Sequence, residues 1–256
     1  MQGRGRGRGK TIWHQTTNFS TGVNPTPGLS LGDAYKLWNY RGDARSVAYM
    51  TGTGASFALS QIWQTRMALD GIKTHTIDCA IRFNTYAISD ECLRLQVPPE
   101  TIAGSITVTR AFTPYQILDA VQELKKNEVV FVLAPAKQFF DGDVAFDEGL
   151  FLLQKLVRFF ADAHERGVAL FVVERPSYAA PAFSTFLSDI KPLTDRSRWE
   201  LYRLPGDDAY KLKHLTHGRL AREITSLPAP KPVEATRRTR MHRSQTQTSQ
   251  MEFAFT

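Results

Sequence analysis

The chain has 256 residues, of which 42% are hydrophobic, and a formal net charge of +7. This length supports one sizeable core or two small ones. The two cysteines, Cys79 and Cys92, form no Cys-x-x-Cys pair, which argues against a disulfide framework and a cysteine-based zinc cluster. The sequence has no unbroken apolar run of about 18 residues and no apolar stretch after its charged start. We therefore expect a cytoplasmic protein without a membrane span or signal peptide.

The positive charge lies at the two ends. Residues 1–10 carry four basic side chains and no acid: Arg4, Arg6, Arg8 and Lys10. Residues 228–256 carry two acids and five basic side chains, namely Lys231, Arg237, Arg238, Arg240 and Arg243. The remaining body is neutral. Basic arms on a neutral body are typical of sequence-independent binding to nucleic acid, and the alternative, that they serve solubility only, stays open.

Strand and helix patterns alternate from residue 46 onwards. Residues 46–50 predict a short buried strand, and an apolar face predicts a helix from Gly54 to Leu69. A strand ending near Asp78 follows, and then a β-branched strand over 105–111. The stretch 113–127 predicts a helix with Thr113 as N-cap and Pro114 as its first residue.

The second half continues the alternation. The apolar run 128–134 is typical of a strand buried on both faces, and a long helix over 146–167 ends at Gly167. Three further strands are predicted at 168–174, 198–204 and 209–218. We expect an α/β fold with a mostly parallel sheet flanked by helices and an antiparallel hairpin at one edge. The predicted domains are a disordered Gly-Arg arm (1–10), the core (11–227) and a disordered basic tail (228–256).

The stretch "TGTGAS" between the first strand and its helix has the composition of a phosphate-binding loop. Gly52 and Gly54 precede a small residue and Ser56, and an apolar helix follows. A phosphate-binding loop ends in Gly-Lys-Ser/Thr, in which the lysine neutralises phosphate and the hydroxyl holds magnesium. Here the lysine position is Ala55.

Longer stretches carry a family resemblance. They are "ITVTRAFTPYQILDAVQEL" (106–124), "VVFVLAPAKQFF" with the long helix and strand after it, and "RWELYRLPGDDAYKLKHLTHG" (198–218). In this order they resemble the core of the RecA/RadA recombinase family over roughly residues 45–225. The resemblance implies a RecA-like fold and an ancestral ATP site at Gly52, Gly54, Ala55 and Ser56.

The catalytic residues that the family places around ATP are replaced in this chain. The first glycine of the phosphate loop corresponds to Tyr49, and the glutamate that activates water corresponds to Ala80. The strand that should end in a magnesium-supporting aspartate ends Leu133-Ala134-Pro135, and the phosphate sensor is replaced by Glu174-Arg175. Phosphoryl transfer is catalysed largely by positioned charge. We therefore predict a pseudo-ATPase without a cofactor, although helix N-terminal N–H groups leave nucleotide binding without turnover open.

Three further groups of residues are candidate sites, and none of them predicts a metal site. The acids Asp141, Asp143, Asp147 and Glu148 fit a turn and a helix N-terminus better than a metal. His214 and His217 lack a third ligand, and on a strand they would face opposite sides. The stretch 176–190 occupies the place of a recombinase DNA loop, where packing on a partner or the core is favoured over base stacking for Tyr178, Phe183 and Phe186.

The final ten residues end a polar tail with large apolar side chains. Gln250, Met251, Phe253 and Phe255 loosely resemble the peptides that dock on DNA sliding clamps. Docking on another partner, or back on the chain's own sheet, also remains open.

The expected function is a non-catalytic accessory protein of DNA repair or recombination. It would bind DNA and bridge it to a recombinase, a polymerase or a sliding clamp, because family members without ATPase activity act as recombinase partners. One alternative is an ATPase completed by residues of a neighbouring subunit. Another is a Gly-Arg-type RNA-binding protein.

Overall fold

The computed structural model describes residues 29–41, 47–140, 143–176, 180–205 and 209–226. Its centre is one eight-stranded sheet with the order β3-β2-β4-β5-β1-β6-β7-β8. The first six strands in this order run parallel, and β7 is antiparallel to both of its neighbours. In chain order the strands are Ala48–Gly52, Thr74–Asp78, Ile106–Arg110, Val129–Leu133, Ala169–Glu174, Arg198–Arg203, Tyr210–Thr216 and Arg219–Ser226. The predicted α/β fold with an antiparallel addition is confirmed.

The described residues also form five α-helices and four short 3-10 helices, the first of which precedes β1. The helices α1 to α5 are Ala55–Leu69, Thr85–Leu95, Pro114–Gln122, Phe146–Glu165 and Ala180–Thr194. The 3-10 helices are Leu31–Leu37, Pro99–Thr101, Ala103–Ser105 and Pro135–Phe140.

Helices cover both faces of the sheet, which is why β4 and β5 are apolar except for Glu174 at the end of β5. Every residue of β4 and β5 is buried. On one face α3, α4 and α5 pack on Val130, Val132 and Val172. On the other face α1 and the first 3-10 helix pack on Phe131 and Phe171. A continuous apolar strand is therefore the expected sequence for a strand between two helix layers.

Local signals set several helix ends as predicted. The Thr113 hydroxyl accepts a hydrogen bond from the N–H of Gln116 at 3.2 Å, and Pro114 is the first residue of α3. Helix α4 ends at Glu165, and Gly167 follows with a φ of 85°. Such a left-handed residue after a helix favours glycine, because side chains with a Cβ rarely adopt it.

Several boundaries differ from the prediction. Strand β1 runs on through Thr51 and Gly52, which were predicted to begin a loop. Helix α3 ends at Gln122 rather than at residue 127, and Asn127 adopts a left-handed φ of 71° where the chain turns before β4. The placement of a loop over 176–190 is wrong from Ala180 onward, where α5 begins. Apolar side chains of this helix, such as Phe186, pack into the core.

An ion network fixes the first 3-10 helix to α1 and α2. The Arg66 guanidinium lies 2.6 Å from Asp33 and 2.7 Å from Glu91, and Glu91 also pairs with Arg94 at 2.6 Å. The Glu91 side chain is only 5% exposed, so its charge depends on these two arginines. The network therefore holds the start of the described chain against the body.

Several predicted segments lie outside the described residues. They are the Gly-Arg arm with Arg4, Arg6, Arg8 and Lys10, the tail with Arg237, Arg238, Arg240, Gln250, Met251, Phe253 and Phe255, and the positions Asp141, Gly142 and Tyr178. Within the described part of the chain, no helix has the length and apolar character to cross a membrane.

Candidate functional site at the carboxyl edge of the sheet

The topology brings the ends of β1 and β5 together at the centre of the sheet. The connection after β1 runs to β2 on one side, and the connection after β5 runs to β6 on the other. Ligands of open α/β sheets bind beyond the carboxyl ends of the strands at such a reversal. The ends of β1, β5, β4 and β2, with the residues that follow them, are therefore the candidate site. They include Gly52, Gly54 and Ser56 of the predicted nucleotide loop.

The turn from β1 into α1 is short and tightly held. It consists of Thr53 and Gly54 only, because β1 ends at Gly52 and α1 begins at Ala55. The Thr53 N–H donates to the Leu201 carbonyl at 3.3 Å, and the Ser56 N–H donates to the Thr53 carbonyl at 3.0 Å. Two of the amides that would face a phosphate are thus used within the protein.

Gly52 shows why this turn lies so close to β6. It has a φ of +150°, and a Cβ at this position would lie 2.1 Å from the Leu201 carbonyl oxygen. Tyr49, at the position of the first loop glycine, is instead a fully buried residue within β1. The segment predicted as a degenerate nucleotide loop is thus divided among the end of β1, a two-residue turn and the start of α1, which differs from a loop that wraps around phosphates.

Polar groups remain at this turn that pair with nothing in the described structure. The hydroxyls of Thr53 and Ser56 are buried and have no hydrogen-bond partner there. The Arg175 guanidinium lies beside the turn, with Nη1 4.0 Å from where a Cβ of Gly54 would stand. A positive charge from the end of β5 is therefore present where the loop lacks its lysine.

Glu174 is the buried acid of the site. It ends β5, is 0% exposed, and accepts hydrogen bonds from the N–H of Ala136 at 3.0 Å and of Arg175 at 2.9 Å. Burial raises the pKa of Glu174 to about 7, although the two N–H groups and the charge of Arg82 oppose the shift. The side chain links the ends of β4 and β5, and it is half protonated near neutral pH.

Asp78 at the end of β2 organises the loop that follows it. Its carboxylate accepts hydrogen bonds from the N–H groups of Arg82 at 2.8 Å and Phe83 at 3.1 Å, and a longer one from Ala80 at 3.4 Å. These bonds use both carboxylate oxygens. Asp78 therefore acts as a cap for the β2–α2 loop in this structure.

The end of β4 has no carboxylate of its own and is joined to its neighbours through backbone and amide groups. Ala134 adopts a left-handed φ of 51°, and its N–H donates to the Val173 carbonyl at 2.8 Å. The 3-10 helix that starts at Pro135 then places the Gln138 amide on the Cys79 carbonyl. The ends of β2, β4 and β5 are thus joined by direct protein hydrogen bonds.

His214, His217 and Phe186, the next candidate site residues, make contacts within the protein. His214 stacks on Trp199 with ring centroids 4.0 Å apart, and burial lowers its pKa to about 4. His217 lies beyond the end of β7, where its Nδ1 is 3.0 Å from Asp195, so the placement of both histidines on one strand is wrong. Phe186 is fully buried and packs on Tyr49.

Two of the four acids considered as a metal site belong to α4 itself. Asp147 and Glu148 lie in the first turn of α4, and Glu148 accepts a hydrogen bond from the Tyr115 hydroxyl at 2.6 Å. No group of three or more His, Cys, Asp or Glu side chains in the described ranges is arranged to hold a metal ion.

Sequence reasoning treated Glu174 and Arg175 only as replacements for a lost sensor. Their signal was present, because Glu174 is the one charged residue of a strand of six buried residues, and a buried charge must find partners. Comparisons with models of known protein families and with curated proteins gave no match. The function is therefore argued from the site.

Proposed function

We propose that the protein is a non-catalytic, RecA-like accessory protein of DNA repair or recombination. Its core serves as a scaffold, its basic ends bind DNA, and the chain bridges DNA to a recombinase, a polymerase or a sliding clamp. The observation that carries the proposal is the β1–α1 turn. Thr53 and Gly54 alone connect strand and helix at the topological switch point, and Leu201 and Thr53 already accept the N–H groups of Thr53 and Ser56.

Two further features support a scaffold rather than an ATPase. The carboxylates at this edge, Asp78 and Glu174, each accept backbone N–H groups, so they are committed to holding loops together. Phosphoryl transfer needs positioned charge around the transferred group. Beside the turn lies the guanidinium of Arg175 rather than the lysine of a phosphate-binding loop.

The proposed DNA contacts come from charge. The basic ends carry the whole excess charge of the chain, and arginine and lysine bind phosphates without sequence preference. Arg4, Arg6, Arg8 and Lys10 are replaced together by glutamine in the full-length chain. The slope of the logarithm of the single-strand binding constant against the logarithm of the salt concentration should then become shallower by about 3. Replacing Lys155 and Arg158, which are exposed on α4, should leave it unchanged and provides the control.

The test is a salt series of binding to labelled single-stranded DNA, double-stranded DNA and RNA, with and without ATP and magnesium. The proposal expects salt-sensitive DNA binding that ATP does not alter. ATP turnover that disappears in Ser56→Ala would establish the ATPase alternative. RNA that outcompetes DNA, with binding abolished by deletion of residues 1–10, would establish the RNA-binding alternative.

The bridging part of the proposal is tested separately. A pull-down of repair or replication proteins should be lost when residues 247–256 are removed. Retention of the same proteins by the shortened chain would contradict a bridging role for the tail.

A further inference from the structure

Strand β3 forms an unpaired edge of the sheet. It spans Ile106–Arg110, pairs with β2 on one side, and has no neighbour on its other side within the described part of the chain. Four of its five residues are exposed, and Ile106 is half-buried. An edge strand presents a row of backbone N–H and C=O groups that can pair with another strand.

Apart from Arg110 at its end, this edge lacks the features that usually protect such a strand. Its sequence, Ile-Thr-Val-Thr-Arg, has four β-branched residues, no proline and no lysine. Val108 on the strand is 39% exposed, and Phe112, two residues after it, is 52% exposed. The opposite edge, β8, contains Arg219, Arg222 and Glu223 and a register irregularity in its pairing with β7. The unprotected edge is therefore β3.

The sequence of β3 is complementary to itself. If two copies pair antiparallel about Val108, Val108 faces its own copy and Thr107 faces Thr109. Cross-strand Thr–Thr pairs are favourable in such ladders, and no like charges face each other. Arg110 lies opposite Ile106, so the arginine stem covers an apolar side chain.

The pairing is confined to Ile106–Arg110, because the three residues before the strand form a 3-10 helix. The same strand supplies both sides of the contact, as an isologous contact requires.

We propose that the chain forms a homodimer in which β3 pairs antiparallel with β3 of a second copy, about a two-fold axis through Val108. The two sheets would then form one continuous sheet. The contact closes on itself and generates no filament. It is independent of DNA binding, because it involves neither basic end of the chain.

The test uses the full-length chain and reads mass by sedimentation or light scattering over a concentration series. The wild-type protein should approach twice its chain mass of 28.8 kDa. Val108→Lys and Val108→Glu should each weaken dimerisation roughly tenfold or more, because like charges meet on the axis. An equimolar mixture of the two variants should restore the dimer, since lysine then faces glutamate.

The matched control is Leu220→Lys on the opposite edge strand, β8. Leu220 is 46% exposed, similar to Val108, and its replacement should leave the dimer intact. Circular dichroism and thermal unfolding of each variant show that the fold is retained. A wild-type chain that stays monomeric at all concentrations would overturn the proposal, as would a dimer that Val108→Lys does not weaken or that the mixture fails to restore.

Discussion

Replacing Glu174 with glutamine should make the stability of the protein less sensitive to rising pH. The Glu174 carboxyl is 0% exposed and has a pKa of about 7, against an ordinary value of 4.5, because burial disfavours its charge. Glutamine imitates the protonated acid. It is neutral at every pH and retains one good acceptor oxygen for the N–H of Ala136 or Arg175.

The expected magnitude follows from proton linkage. Between pH 4.5 and about 7 the folded chain holds a proton on Glu174 that the unfolded chain has released. The contribution of this group to the free energy of unfolding is therefore complete below pH 4.5 and is lost as the pH rises through 7. At about 1.4 kcal/mol per pH unit, the total loss that has accumulated by pH 7 is about 3 kcal/mol. Glu174→Gln should be about that much more stable than wild type at about pH 8, and similar to it at about pH 5.

Denaturant unfolding of both proteins at these two pH values measures the difference. The two proteins must be compared at each pH, because the lowered pKa of His214 makes the wild-type free energy of unfolding fall towards acid pH, opposite to the effect of Glu174. Glu123→Gln, at an exposed position after α3, is the control and should follow the wild type. The reasoning fails if Glu174→Gln is less stable than wild type at about pH 8, since the charged carboxylate would then be the favoured form.

Three other substitutions give separate tests by denaturant unfolding. Gly52→Ala should cost roughly 3 kcal/mol or more, because its Cβ would lie 2.1 Å from a backbone carbonyl, whereas Gly218→Ala, with open space around it, should cost about 1 kcal/mol. Wild type should lose up to about 3 kcal/mol more stability than His214→Phe as the pH falls from 6.5 to about 4, because only the histidine must gain a proton on unfolding. Equal acid sensitivity of the two proteins would contradict this. Arg66→Ala should cost about 3–5 kcal/mol by leaving Glu91 buried without one of its two cations, and a cost near zero would refute it.

The sequence was sufficient for the elements whose patterns are local or fully buried. The runs at β4 and β5 identified strands between two helix layers, and Thr113 identified the start of α3 through its hydroxyl. These predictions succeed because a cap or a buried strand has a physical requirement that its own residues meet. The α/β class followed from their alternation.

Other elements depended on contacts between distant residues. Thr51 and Gly52 belong to β1 because β6 pairs with them, and nothing in "TGTGAS" indicates that partner. Helix α1 buries polar side chains such as Gln64, whose amide oxygen accepts from Thr74 and Thr76 of β2, so its apolar stripe is weak. The roles of Glu174 and Arg175 likewise depend on the end of β4 and on the β1–α1 turn.

The attachment points of the two basic ends have a consequence for the DNA binding proposed above. The described chain begins at Leu29, which packs on the same core cluster as Ile224, two residues before β8 ends at Ser226. Both ends of the described chain therefore pack on one core cluster, and the first 3-10 helix contacts β8. Once one end contacts a nucleic acid, the other is held near the same strand at a high effective concentration. The two weak contacts would then act as one bivalent interaction, whose affinity depends on both ends.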